Sequence, residues 1–355
     1  MRPHAADFRS YSSRRISSSA NRPSISPWRI CASRERRAID SPSPVIDAKK
    51  CSRCGLCVRV CKSFTIIEVN GAPSVAPDNG LGCIACGQCM AVCPKGAVTV
   101  TGRGLSPGDA FTLPPRAKRA TAEALENLLA ARRSVRDFAS KDVDRKLIDR
   151  VLAMASTAPM GIPPSDVGVT AVMGRERAAE LAGDIVGVFG KWQRFFNPAV
   201  MALLRPFMKR ETHEAFRDFI LPVTKEIIEA WDKGTDYLFY GAPCVLLFHQ
   251  SPYADPVDGH VACTYAMIAA ESLGLGTCMI GTVAYALDRE NKLKEKWGIP
   301  ARNSVSLAMI LGHPAFRYTR GVRRRFASVV YKGMKGAVAV DAGDPISRLA
   351  VDLRE

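Results

Sequence analysis

Eight of the twelve cysteines in this 355-residue chain fall in two matched runs. The downstream run is Cys83-Ile-Ala-Cys-Gly-Gln-Cys-Met-Ala-Val-Cys93-Pro94, with Cys86 and Cys89 between its ends. The upstream copy places Cys51, Cys54, Cys57 and Cys61 at the same intervals. Two quartets at C-x2-C-x2-C-x3-C constrain the fold strongly, because the backbone must bring four thiolates around one inorganic centre, twice. Zinc sites pair two C-x2-C knuckles and have no use for a further cysteine three residues on, repeated in both copies. A disulfide framework suits a small secreted chain, and this chain is neither small nor visibly secreted. The spacing suits iron–sulfur ligation, and hence the handling of single electrons. Such centres imply a reducing compartment, and the expected location is cytoplasmic. Cys31, Cys244, Cys263 and Cys278 fall at unrelated spacings.

The double run resembles a bacterial-type ferredoxin with two 4Fe-4S clusters, spanning residues 45–102. That resemblance implies crossed ligand sets: Cys51, Cys54, Cys57 and Cys93 for one cluster, and Cys83, Cys86, Cys89 and Cys61 for the other. Gly55 and Gly87 fit the tight turn inside each run. Each run is followed by a β-rich stretch, Phe64–Val69 and Ala97–Thr101, and these two are expected to pair. Cys61 is followed by Lys62, where the pattern has proline. The lysine either shifts the local field or is simply solvated.

Residues 1–44 are rich in Ser, Arg and Pro, without apolar periodicity, and read as a disordered extension. The Arg14-Arg15 pair is followed by polar residues, which excludes a twin-arginine export signal. The stretch resembles an organelle transit peptide and equally an upstream region translated from an earlier start codon. In its first 39 residues nine arginines face only Asp7 and Glu35 and supply part of the net charge of +16. The remaining excess is a basic surface, or one that attracts an acidic redox partner or phosphorylated cofactors. No helix-turn-helix or aromatic RNA-binding signature accompanies it, so nucleic acid is not an expected partner. No apolar run approaches the roughly 20 residues of a membrane span.

Residues 103–120, with Gly104, Pro107, Gly108, Pro114 and Pro115, read as a linker. A larger domain, 121–335, and a tail, 336–355, follow. Thr121 and Asp144 are expected N-caps of two helices, the first with an apolar stripe of Leu125, Leu128 and Leu129. Strands are expected at 167–172, 243–248 and 305–311. Helices are expected at 175–185, across the aromatic stretch 191–236, at 260–273 and at 288–297. The fold class is α+β.

Within this domain Arg132-Arg133-Ser134-Val-Arg136 concentrates three guanidinium groups and a hydroxyl, a set that binds phosphate and stabilises a negative ring edge. Ser156-Thr-Ala-Pro159-Met160-Gly161 and the glycine-rich Gly274–Gly281 leave small residues where a flat ligand can approach. Arg320 and Arg324 lie in a basic stretch near the end. In this order the four stretches resemble the flavin-dependent nitroreductase family, from Thr121 to Tyr331. The resemblance implies an α+β homodimer with FMN at the subunit interface. It places Arg132, Arg133, Ser134 and Arg136 in the opening FMN motif. Arg132 would meet the phosphate, and Arg136 the N1/O2 edge of the ring. Pro159, Met160 and Gly161 would lie along the flavin, Met279, Ile280 and Gly281 would cover the opposite region, and Arg320 and Arg324 would approach the phosphate. Members often carry Asn-x-Gln-Pro-Trp in the second motif, whereas this chain has Ile162-Pro-Pro-Ser165-Asp. The departure puts the usual nitroaromatic substrate in doubt, though not the cofactor. The stretch 191–236 is either ordinary core and dimer contact or a lid that sets substrate choice.

The joined expectation is an iron–sulfur flavoprotein oxidoreductase. A low-potential donor, ferredoxin-like or NAD(P)H, would supply electrons. A small organic acceptor, such as a nitro compound, a quinone or an activated double bond, would take them. No catalytic acid is assigned. The competing expectation is an electron-transfer relay that docks to a partner enzyme. His249, His313 and Cys278 are expected to serve packing and loop roles.

Overall fold

The structure, a computed structural model, describes residues 42–77, 82–161, 166–196, 198–330 and 339–340. Most of the N-terminal extension, Cys31, the Ile162–Ser165 departure and most of the C-terminal tail lie outside those residues.

The N-terminal part is built from β1 (Ser43–Ile46), α1 (Leu56–Val60), β2 (Ile66–Val69), β3 (Ala72–Val75), α2 (Gln88–Val92) and β4 (Val98–Thr101). Gly55 and Gly87 precede the two short helices at φ 72° and 69°, so the expected turns are present. Both glycines adopt the left-handed conformation that a Cβ disfavours. The expected pairing of the two β-rich stretches with each other is not found. β2 folds back antiparallel onto β3 across Asn70-Gly71, whose φ values are 52° and 73°. Two consecutive left-handed residues make the tight hairpin turn that matches strand twist, and Asn-Gly is its strongest local signal. β4 pairs antiparallel with β1, which begins at Ser43 inside the stretch read as extension. The core here is Cys57, Ile66, Cys89, Met90, Val98 and Val100. A core this small, two of whose members are thiols, is of the kind that depends on metal for stability.

The larger part continues with α3 (Ala122–Ala131), α4 (Arg145–Ala155), β5 (Val167–Met173), α5 (Arg175–Phe195), α6 (Pro198–Leu204), α7 (Arg210–Ala215), α8 (Leu221–Asp232), β6 (Cys244–Gln250), α9 (Asp258–Ser272), β7 (Gly276–Ile280), α10 (Thr282–Leu287), α11 (Asn291–Lys296) and β8 (Ser304–Gly312). The Thr121 hydroxyl accepts from the Ala124 N–H at 3.1 Å, and the Asp144 carboxylate accepts from the Lys146 N–H at 2.8 Å. Both helices therefore start where capping chemistry predicts. Two expectations change. Gly274–Gly281 is mostly a strand, β7, rather than a glycine-rich loop. The helix expected at 288–297 is the shorter α11, and Asp288 instead closes the preceding α10.

The four long strands form one antiparallel sheet in the order β5-β6-β8-β7. All seven residues of β6 are buried. Alternation along the strand explains how. Val245 and Leu247 enter one core with Leu181, Ile185 and Phe189 of α5, while Cys244, Leu246 and Phe248 enter another with Val151 of α4 and Ala266 of α9. Helices on both faces make an antiparallel strand read as the continuous apolar run usual for parallel sheets. Each such leucine or phenylalanine contributes about 1.5–3 kcal/mol on burial.

α3 differs. It has no buried residue, and Leu125 and Leu129 of its apolar stripe are each 46% exposed.

His249 sits at the end of β6 against Gly168 of β5, where any Cβ would overlap the imidazole. The Asn303 amide lies 2.9 Å from its Nδ1. Burial lowers its pKa from the ordinary 6.5, so the native state favours the neutral ring. Stability from this site is therefore complete above pH 6.5 and falls as pH drops from there toward the lowered native value, with a slope of up to about 1.4 kcal/mol per pH unit. Urea midpoints of the wild type should fall across that window, and those of His249→Leu should fall less. Equal slopes would remove His249 from the account.

Candidate functional site

The eight cysteines divide spatially as the crossed ferredoxin pattern implies. Cys51, Cys54, Cys57 and Cys93 line one small cavity, closed by Leu56 and Pro73. Cys61, Cys83, Cys86 and Cys89 line a second. Each set takes three cysteines from one run and the fourth from the other. The short helices explain the crossing. Each begins just after its turn glycine, carries the third cysteine in its first turn and ends at the fourth, as Cys61 and Cys93 are the C-caps. The third and fourth cysteines of a run thus leave its helix from opposite ends.

All eight are free thiols. Among the described residues no three His, Cys, Asp or Glu side chains could hold a single metal ion. Sulfurs that ring a void fit a cluster better than one ion. Backbone donors also point at sulfur: Arg53 N–H to Cys51 at 3.4 Å, Ile66 N–H to Cys61 at 3.4 Å and Ala97 N–H to Cys93 at 3.2 Å. Such bonds stabilise sulfur that carries negative charge. The electrostatics favour a bound cation. Burial, with Cys83 and Cys86 close by, pushes the Cys89 thiol up to about 11, and burial raises Cys57 and Cys83. Cys54 is lowered, chiefly by the Leu56 N–H. Buried thiols that resist ionisation become ligands when a metal centre supplies the compensating charge. Lys62 is exposed, which fits the solvated alternative.

The second centre lies along β7 and the end of β8. The Arg132–Arg136 stretch leaves α3 and runs beside β7. The Val135 N–H donates to the Thr277 carbonyl at 2.8 Å, next to a parallel bridge between Ser134 and Thr277. Farther on, the Ala139 N–H donates to the His313 carbonyl at 2.9 Å and the Ala315 N–H to the Asp137 carbonyl at 3.0 Å. This close approach needs glycine. A Cβ on Gly276 would stand 2.6 Å from Val135 Cγ2, and one on Gly312 would stand 2.7 Å from the Phe138 ring.

The same stretch reaches the closing arginines. The Arg133 guanidinium donates to the Arg132 carbonyl at 2.6 Å and to the Arg320 carbonyl at 3.5 Å. Arg136 lies over the Tyr240 ring, 5.8 Å from its centroid. Burial raises the Tyr240 hydroxyl pKa, and Arg136 works in the opposite direction. Tyr240 holds φ at 56°, which is uncommon for a residue with a Cβ. Its loop is fixed by Asp236, whose carboxylate accepts from the N–H groups of Leu238, Phe239 and Gly241 at 2.9, 2.8 and 3.1 Å.

Arg132–Arg136 is thus brought to the β7 strand that carries Met279 and Ile280, and to Arg320. Met279 and Ile280 are half-buried, and Gly281 precedes α10. Pro159–Gly161 follows α4 and is joined instead to the start of α9, where the Gly161 N–H donates to Asp258 Oδ1 at 2.8 Å. Asp258 is buried, and its Oδ2 has no hydrogen-bond partner among the described residues. Arg324 is exposed. Asp236, Tyr240 and Asp258 escaped the sequence reading. Only Asp236 carried a local signal, as an aspartate ahead of a turn that ends in glycine. Cys278, on β7 itself, is buried in the core, in the packing role expected of it.

The aromatic stretch 191–236 folds into α5 through α8 and encloses a cleft of about 670 Å³. Its walls include Phe196, Met201 and Leu221, with Arg205, His213 and Lys225 as polar groups. A π-helical turn at Phe216–Ile220 interrupts the segment, a local irregularity common at functional sites. No helix among the described residues is long and apolar enough to cross a membrane.

Comparison with known proteins agrees with both centres. A nitroreductase family model matches residues 129–313, and a 4Fe-4S dicluster domain model matches residues 50–98. An FMN reductase (NAD(P)H) of Bacillus subtilis (strain 168) is 29% identical over 203 residues, 55% of this chain and 68% of that protein. Among solved structures, an FMN-bound nitroreductase of Desulfitobacterium hafniense DCB-2 is 21% identical. The match covers 56% of this chain and 94% of that one, with a TM-score of 0.42. An FMN-bound nitroreductase of Bacteroides fragilis NCTC 9343 is also 21% identical, covering 60% and 98%, with a TM-score of 0.43. The chain belongs to the nitroreductase family, as an FMN-dependent oxidoreductase with an N-terminal 4Fe-4S dicluster domain.

Proposed function

We propose that the chain carries electrons from an external low-potential donor through two 4Fe-4S clusters to FMN and on to a small organic acceptor. The observation that carries this reading is the division of eight thiols into two rings of four, each with its own cavity. Bound FMN supplies the conversion between single electrons and electron pairs. The protein's own part is to hold and tune. Arg132 meets the phosphate, and Arg136, kept in place on the Tyr240 ring, faces the ring edge where negative charge collects on reduction. Arg133 is committed to main-chain carbonyls and so ties the opening motif to Arg320.

The acceptor is a nitro compound, a quinone or an activated double bond. The cleft in α5–α8 favours an enzyme over a relay, because a relay needs no such chamber. NAD(P)H is a second donor by analogy with the Bacillus subtilis relative. The working form is a homodimer. Leu125 and Leu129 of α3, with Phe316, Tyr318, Val322 and Phe326 of the segment after β8, are exposed apolar groups that a second copy would cover.

Anaerobically purified protein should contain about eight irons and one FMN per chain. Arg132→Ala should lower FMN retention and leave the iron unchanged. Equal loss of both would show that Arg132 supports the fold rather than the cofactor, and failure to take up FMN at all would sink the enzyme reading. Turnover of nitro and quinone acceptors with reduced ferredoxin and with NAD(P)H then separates enzyme from relay.

A further inference from the structure

We propose that Arg175 is a positioning residue for the flavin site: its guanidinium ties the Ala139 carbonyl to the Gly241 carbonyl and so holds the Tyr240 ring against Arg136. The inference rests on the proposed placing of Arg136 at the edge of the flavin ring, and adds the residue that keeps it there.

The two members of the Arg136–Tyr240 contact lie far apart in the chain, one just after α3 and the other between α8 and β6. Arg175, the first residue of α5, joins their segments. One of its guanidinium nitrogens donates to the carbonyl of Ala139, three residues past Arg136. The other donates to the carbonyl of Gly241, next to Tyr240. These acceptors stand 36 and 66 residues from Arg175 in the chain. A planar guanidinium with donors at fixed angles sets the separation of two carbonyls, whereas an ammonium on a flexible stem does not. The N-terminus of a helix is an unfavourable place for a cation. Arg175 is explained there by the two carbonyl oxygens that meet its charge.

Both segments are also held from their other sides. The Ala139 N–H goes to the His313 carbonyl, and the Gly241 N–H goes to the Asp236 carboxylate. Gly241 is thus fixed at its N–H by Asp236 and at its carbonyl by Arg175. Tyr240 and Gly241 have φ values of 56° and 63°. Two left-handed residues in succession, the first with a Cβ, persist only where the surroundings over-determine them. Arg136, by contrast, is exposed, and among the described residues it pairs with no carboxylate. The Tyr240 ring restrains a long side chain that water would otherwise leave free. A cation kept beside the ring edge favours the reduced, anionic flavin over the oxidised one, and that preference weakens as the charge moves off into solvent.

The test uses the full-length holoprotein under argon. The midpoint potential of bound FMN is read by redox titration of the flavin absorbance, with the clusters followed separately by EPR. Arg175→Ala should weaken the preference for reduced flavin about tenfold, a fall of about 30 mV for a two-electron couple. Tyr240→Leu, which removes the ring, should do the same, and the two changes together should do little more than either alone. Iron and oxidised FMN contents should stay at wild-type levels. Arg175→Lys keeps the charge and loses the planar donor pair, so a smaller fall in the same direction there is positional rather than electrostatic. The deciding comparison is made in the Arg136→Ala chain, where Arg175→Ala should leave the potential unchanged. A shift of equal size with and without Arg136, or a wild-type potential in Arg175→Ala, overturns the positioning role. If Arg175→Ala does not fold, Arg175→Lys and Tyr240→Leu carry the same comparisons. A wild-type potential in Arg136→Ala overturns instead the placing of Arg136 at the ring edge, and the role of Arg175 with it.

Discussion

Replacing Cys93 with alanine is expected to cost one cluster, and that cluster is the one in the upstream run. Cys93 belongs by sequence to the run that begins at Cys83, yet it lines the cavity of Cys51, Cys54 and Cys57. Iron in the variant should fall from about eight per chain to about four. The EPR signal that survives should match that of Cys51→Ala and differ from that of Cys83→Ala. The reverse pattern would show that ligation stays within each run. Complete loss of iron from every one of these variants would mean that each cluster staples the whole domain. That outcome has a physical basis, because the core around the clusters is only six buried residues, two of them ligands. The conservative variant Cys93→Ser, which retains an oxygen ligand, then discriminates. A partly occupied cluster with altered signal assigns Cys93 to its site even where alanine unfolds the domain.

The second large effect is expected at Gly276. Its missing side chain lets Val135 lie against β7, and a Cβ there would stand 2.6, 2.7 and 2.8 Å from Val135 Cγ2, Cβ and Cγ1. None of these is the far end of a flexible chain, so Gly276→Ala must move backbone. Overpacking of this kind costs about 1–3 kcal/mol. The movement would fall on Ser134 and Val135, which hold the arginine stretch beside Thr277. FMN retention should therefore drop with stability, while iron stays constant. Val135→Gly in the same chain removes all three obstructing atoms and should restore both in part, whereas Val135→Ala leaves the Cβ at 2.7 Å and should restore less. A coupling of about 1–2 kcal/mol between the two sites in thermal or urea unfolding would confirm the contact, and simple additivity would refute it.

What could be read from the residues follows the range of each interaction. The thiol spacing and the helix caps at Thr121 and Asp144 are local, and the structure has the caps at those residues. The two cavities carry the crossed sets that the ferredoxin resemblance implied. β6 and β8 announced themselves as apolar runs because both faces of the sheet are covered. β7 did not, because Gly276 and Thr277 look like loop residues until Val135 is known to lie beside them. The pairing of β1 with β4 was hidden for the same reason: nothing near Ser43 indicates a partner at Thr101. The hairpin at Asn70-Gly71 is a different kind of miss, since its signal is local and its turn chemistry is explicit. Asp258 and Tyr240 gain their significance from Gly161 and Arg136, each far away in the chain.

The bond from Arg133 to the Arg320 carbonyl has a temporal meaning. Its two ends are 187 residues apart. At ordinary translation speeds that interval takes on the order of ten seconds or more. The thiol runs both emerge before Arg133 is made, so iron can be loaded while the remainder is still on the ribosome. A ligand gripped by both Arg133's neighbours and Arg320 has no complete seat until the last stretch appears. On the proposed reading, synthesis therefore allows metal to precede flavin: a chain stalled short of Arg320 would hold both thiol runs and an incomplete flavin seat.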